Sequence, residues 1–154
     1  MSVVLTIGYG GRSLDELVKL LEERGVKVVV DVRHDARSAK PEFSARSLER
    51  SLSAHGIDYV RLSELGVPKA VREPYVRGEL PFERFRQWYL QWIEGSREKW
   101  EPKLREAGRK GPVALLCAER YPKPHGTQKH HCHRDVLADH LIGLGLFEKR
   151  VDVV

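Results

Sequence analysis

The chain has 154 residues, enough for one domain to bury an ordinary core without disulfides or a structural metal, and two cysteines exclude a disulfide scaffold. No apolar run approaches bilayer length, and the short run from Met1 to Ile7 goes straight into a glycine turn like a first strand, so the expectation is a soluble cytoplasmic protein with no leader and no membrane partner. Lysine and arginine exceed aspartate and glutamate, 27 against 22, which suits an anionic small molecule or nucleic acid as partner, and a charged content of 32% with one methionine also suits a protein built for high temperature.

Val3 to Ile7 is β-branched and apolar and stops at Gly8-Tyr9-Gly10-Gly11, which reads as a buried strand and a tight turn. A helix follows: Ser13 with Glu16 forms a capping box, Leu14, Leu17, Val18 and Leu21 share one face, and Gly25 supplies a stop. Val26 to Val32 is the second strand, so the spacing predicts a right-handed βαβ unit with parallel strands. That strand ends in Asp31-Val32-Arg33 and passes through a polar loop, His34 to Pro41, to a helix at about Ser44 to Ala54 and a strand at Ile57 to Val60. Leu62 to Glu79 has two glycines, two prolines and no period, and reads as a long surface loop of the kind that is often functional.

Pro81 opens a helix in which Phe82, Phe85, Trp88, Tyr89 and Trp92 recur at helical spacing, a stripe that suits core packing better than base stacking. Gly95 and Pro102 should break or kink it before a basic turn ends at Gly108. Pro112 to Leu116 is a fourth strand that delivers Cys117-Ala118-Glu119-Arg120. After a Pro- and His-rich basic loop come His131-Cys132-His133-Arg134, a helix to Leu144 stopped by Gly145, and a last, edge strand over Phe147 to Val154. The whole predicts a single α/β domain over residues 1–154, with a mainly parallel sheet of about five strands and helices on both faces.

In an open parallel sheet, ligands bind beyond the carboxyl ends of the strands. Gly8 and Tyr9, Asp31 and Arg33, and Cys117 and Glu119 therefore end on one edge, joined by Cys132, His133 and Arg134 at the positive end of the last helix. The chain here resembles the family catalogued as domain of unknown function 488, through Thr6-Ile7-Gly8-Tyr9, Asp31-Val32-Arg33 with Ser38 and Phe43, Leu65-Gly66, Cys117-Ala118-Glu119 and Cys132-His133-Arg134. That resemblance covers nearly the whole chain and implies an α/β fold with an inferred site and no agreed reaction. It departs from the family's pattern at Gly10-Gly11, at Ala36, at Val67 after Gly66, and in the length of the insert between the CAE and CHR motifs.

The residues admit several chemistries. Cys132, at a helix start beside His133 and Arg134, meets the requirements of a reactive thiolate with Glu119 as acid or base, whereas Cys117 alone reads equally as a small core residue. The phosphatase pattern of a strand-borne cysteine with an arginine six residues on is not met, since position 123 is Lys. Cys117, His125, His130, His131, Cys132 and His133 supply ligands enough for zinc, although no C-x-x-C pair is present. Gly8-x-Gly10-x-x-Ser13 only partly matches a dinucleotide fingerprint. The basic run from Arg120 to Arg134 can track nucleic-acid phosphates or be a solvated loop. The expectation is an enzyme or anion-recognising domain in which Arg33 and Arg134 grip a phosphate, Glu119 and Asp31 exchange or orient protons, and Cys132 or Cys117 is nucleophile or ligand. A non-catalytic nucleic-acid binder is the competing class. No feature sets the oligomeric state.

Overall fold

The computed structural model describes residues 2–38, 40–118, 123–125, 128–130 and 132–153, the two three-residue stretches in backbone only. Five parallel strands form one sheet: β1 (Val3–Gly8), β2 (Val28–Asp31), β3 (Asp58–Arg61), β4 (Val113–Cys117) and, at the end of the chain, β7 (Lys149–Asp152), in the order β3-β2-β4-β1-β7. The expected parallel sheet is present, and the edge position of the last strand with it. β1 and β2 are not neighbours, however: β4 lies between them, pairing Gly8 with Cys117 on one side and Asp31 with Leu116 on the other. A βαβ pattern fixes that two strands are parallel but leaves the gap between them open for a later strand.

The inner strands β1, β2 and β4 are so nearly uniformly apolar that alternation is invisible in sequence, yet it sorts the core. Val113, Leu115 and Cys117 face one layer, Ala114 and Leu116 the other. Helices α1 (Leu14–Glu23) and α2 (Ala45–Ala54) cover the second layer with Leu17, Leu21, Leu48 and Leu52. The predicted capping box on α1 forms, Ser13 Oγ accepting from Glu16 N and Glu16 Oε1 from Ser13 N, and Gly25 at φ +68 turns the chain out of the helix where a side chain would be strained.

The first layer is covered by α4 (Phe82–Glu94), α5 (Arg97–Lys110) and α6 (His133–Gly143). The aromatic stripe behaves as expected on its inner side: Phe85 and Tyr89 are buried, while Trp88 and Trp92 stack on each other towards the rim. Gly95 and Ser96 separate α4 from α5, with the buried Trp100 Nε1 donating to the Ile93 carbonyl across the break at 2.7 Å. Pro102 sits inside α5 without ending it, and the helix runs past Gly108 to Lys110, anchored by Trp100, Leu104 and Ala107. Burial of that face outweighs the one backbone bond that proline removes.

The stretch expected as a loop, Leu62 to Glu79, contains a 3₁₀ turn at Ser63–Leu65 and a helix, α3 (Lys69–Val76), despite Pro74 within it. Tertiary contact is the reason: Tyr75 is buried and stacks on Phe85 with centroids 4.1 Å apart. Between β4 and α6, β5 (Lys123–His125) and β6 (Gln128–His130) pair antiparallel where a loop was expected, in a run whose polar composition carries no strand period. No helix of the described residues is long and apolar enough to cross a membrane.

Candidate functional site

Because all five main strands are parallel, the ends of β1, β2 and β4 share an edge. Tyr9 N donates to the Cys117 carbonyl, Gly10 N to the Ala118 carbonyl and Val32 N to the Leu116 carbonyl, so the ladder continues one step past the strands and fixes where the next side chains leave. A cleft opens over that edge, lined by Tyr9, Arg33, Cys117, Cys132 and His133 among the residues expected at the site.

On the α1–α2 side of the sheet lies an ion pair. Asp31 is completely buried, and Arg33 sets a fork on it, Nε to Oδ1 at 2.8 Å and Nη2 to Oδ2 at 2.6 Å. Arg33 N and the Tyr59 hydroxyl donate to the same carboxylate, and Arg33 Nη1 donates to the Phe43 carbonyl at 2.8 Å. Tyr9 stacks on Phe43, lies under the Arg33 guanidinium and donates its hydroxyl to Ser38 Oγ. Burial opposes the charge on Arg33, but the Asp31 bonds and charge outweigh it and hold the guanidinium above its ordinary pKa. Asp31 does not line the cleft, and its lone pairs are already taken. Gly8 also stands back, its carbonyl accepting from Arg12 Nε at 2.9 Å.

On the α4–α6 side are the thiols. Cys117 ends β4 on that face, and Cys132 is the N-cap of α6; both are buried thiols outside any disulfide, with their sulfurs 2.8 Å apart. His133 Nε2 lies 2.8 Å from the Val32 carbonyl. A carbonyl only accepts, so Nε2 carries a proton and Nδ1, 3.6 Å from Cys132 Sγ, is the nitrogen able to take the thiol's proton. The Tyr89 ring meets the imidazole edge-on at 5.7 Å. Tyr89 in turn donates to the Leu65 carbonyl at 2.6 Å, so its hydroxyl is occupied as well as buried. Burial, reinforced by Cys132, pushes the Cys117 thiol well above its ordinary pKa, and either sulfur can be the donor in the contact between them.

Arg134 is 2% exposed and donates from Nη1 to Cys117 Sγ at 2.9 Å. It faces a sulfur, and it is not among the cleft-lining residues. Burial works against its charge, while Cys117, Cys132 and Asp135 raise its pKa by more. Glu119, His131 and the basic run after Ala118 lie outside the described residues, apart from the backbone of β5 and β6 and the residues from Cys132 onward. Among the described residues no three His, Cys, Asp or Glu side chains are grouped to hold a metal.

Sequence reading missed the opposite wall. His34, Asp35 and Arg37 come from the polar loop after β2, and Val67, Arg72 and Tyr75 from the stretch around α3. The length of that stretch was the available signal. Arg37 pairs with Asp35, but no carboxylate among the described residues pairs with the exposed Arg72. Gly66 holds this wall in place: a Cβ there would strike the backbone of His34 and come within 2.7 Å of the Arg33 carbonyl carbon. Only glycine permits that approach.

The family model described as Domain of unknown function DUF488 matches residues 13–141. No curated protein and no solved structure matches the chain.

Proposed function

The chain belongs to the DUF488 family, and from that premise we propose that it is a thiol-dependent enzyme whose nucleophile is Cys132 and whose substrate is a small phosphate-bearing molecule. The observation that carries this reading is the chain of contacts from the Val32 carbonyl through His133 to Cys132 at the N-cap of α6. A base held in one tautomer by a backbone acceptor, next to a thiol at a helix start, is the arrangement that activates a cysteine.

In the reaction, His133 Nδ1 takes the Cys132 proton and the sulfur attacks the electrophilic centre. The leaving group departs with that proton, and water then cleaves the sulfur–substrate bond and restores the thiol. Phosphate serves as the handle: Arg72 and Arg37 stand at the cleft wall, while the Arg33 guanidinium, its charge met by Asp31, shapes the cleft beside them. Asp31 orients Arg33 rather than moving protons.

The test is turnover of a panel of phosphate monoesters and nucleotides by the full chain, with acid quenching to trap an adduct on the Cys132 peptide. Cys132→Ser should abolish turnover, and His133→Gln should lower kcat about 10- to 100-fold. Full activity in Cys132→Ser would sink the reading. Salt-dependent binding of nucleic acid that survives Cys132→Ser, with no turnover, would put a non-catalytic nucleic-acid binder in its place.

A further inference from the structure

Cys117 is not needed for the attack just described, yet it is the nearest group to the nucleophile. Its sulfur lies 2.8 Å from that of Cys132, and the two are 15 positions apart in sequence. Two thiolates on one tetrahedral zinc would stand about 3.8 Å apart, given zinc–sulfur bonds of about 2.3 Å. A covalent bond needs about 2.05 Å, a further approach of under about 1 Å. The separation therefore fits a disulfide better than a shared metal.

We propose that Cys132 and Cys117 are a redox-active pair, in which Cys132 exchanges with a small anionic disulfide at the cleft and Cys117 resolves the adduct into a reversible internal disulfide. The proposal takes Cys132 as the reactive sulfur from the reading above and requires no turnover. The oxidant is a disulfide RSSR. Cys132, its proton passed to His133 Nδ1, attacks one sulfur, forms Cys132–S–S–R and expels RS⁻, which recovers that proton. Cys117 then attacks the Cys132 sulfur, a second RS⁻ leaves with the Cys117 proton, and the net change is two protein thiols plus RSSR giving one protein disulfide and two RSH.

The surroundings assign the two roles differently. Cys132 faces the imidazole, at 3.6 Å. Cys117 faces Arg134, whose Nη1 at 2.9 Å is placed to hold the negative charge that the Cys117 sulfur develops when it attacks in turn. An incoming disulfide meets a cleft in which Arg33 is paired with Asp31 and Arg37 with Asp35 while Arg72 pairs with no carboxylate among the described residues, a surplus of one positive charge that favours anionic disulfides. The bond would tie the end of β4 to the start of α6 and consume the nucleophile, which makes it a reversible off-state of the site.

Full-length reduced protein is treated with glutathione disulfide, or with the cationic disulfide cystamine, at neutral pH, quenched by alkylation and read by intact mass and peptide mapping. The wild type should lose two hydrogens, yield one cross-linked Cys117–Cys132 peptide and revert with dithiothreitol, about 10-fold faster with glutathione disulfide than with cystamine. Cys117→Ser should stop at one glutathione on Cys132, and Cys132→Ser should remain unmodified; circular dichroism checks that both fold, and the wild-type cross-link stands without either. A lasting glutathione adduct on the wild type, equal modification of both variants, or faster reaction with cystamine would overturn the proposal, as would thiols that react only after a chelator is added. Turnover lost in Cys132→Ser without any disulfide in the wild type removes the redox pair alone. A disulfide that forms and leaves turnover unchanged removes the nucleophile reading alone.

Discussion

Two polar clusters sit at one sheet edge, on opposite sides of the sheet, and they are built on contrary rules. On the α1–α2 side, Asp31 receives four donors from Arg33 and Tyr59, and Arg33 gives a third side-chain bond to a carbonyl. On the α4–α6 side, two thiols and an imidazole meet in a chain that Arg134 closes at Cys117 and the Val32 carbonyl at His133. The first cluster is saturated and holds the wall; the second keeps an atom free to react. Burial alone does not separate them, since Asp31, Arg33, Cys117 and Cys132 are all buried. Hydrogen-bond saturation does, because a carboxylate whose lone pairs are filled has no acceptor left to offer a substrate.

The largest way to break this contrast is Asp31→Ala. It leaves the Arg33 guanidinium buried without its counter-charge and should cost about 3–5 kcal/mol in urea unfolding. A loss below about 1 kcal/mol would mean that the pair is ornamental to the fold. Gly66→Ala should come next, at about 1–3 kcal/mol, because the added methyl meets backbone that cannot rotate away. It also joins the two clusters. The Leu65 and Gly66 carbonyls accept from Tyr89 and Trp92, and Tyr89 packs on His133, so the same variant should slow alkylation of Cys132. Unchanged thiol reactivity in a destabilised Gly66→Ala would separate the clusters again.

The smallest effect lies in alkaline solution. The unfolded Cys117 thiol ionises near about pH 8.5, while in the folded chain burial holds its pKa well above that. Above that pH the unfolded state gives up a proton that the folded state keeps. The stabilisation, complete at lower pH, is therefore lost as pH rises, by at most about 1.4 kcal/mol per unit. Cys117→Ser should flatten the fall in Tm over the range just above the thiol's unfolded pKa. Identical slopes in variant and wild type would show that Cys117 is not the buried acid.

Much of this molecule is legible in one dimension. Short β-branched runs, the capping box at Ser13 and the glycine stop at Gly25 are local signals, and they placed β1, α1 and the parallel sheet, whose shared edge in turn named Tyr9, Arg33, Cys117, Cys132 and His133 as neighbours. α3 was not legible, because Pro74 argues against a helix and only Tyr75 against Phe85 argues for one. Nor was the insertion of β4 between β1 and β2, which depends on pairing over about a hundred residues of chain.

What the sequence determined by itself is which chemical groups reach the edge, since strand ends are set by local composition. What only the tertiary structure decided is which of them are spent. Asp31 shares the parity of Val29, and Cys117 that of Leu115, so the pleat sends the carboxylate to one layer and the thiol to the other. Both faces of a parallel strand are apolar, so no alternation in the sequence says which layer is which. Three-dimensional packing brings Tyr59 and Arg33 to fill the carboxylate, and places His133 and Cys117 beside a sulfur that is left able to react.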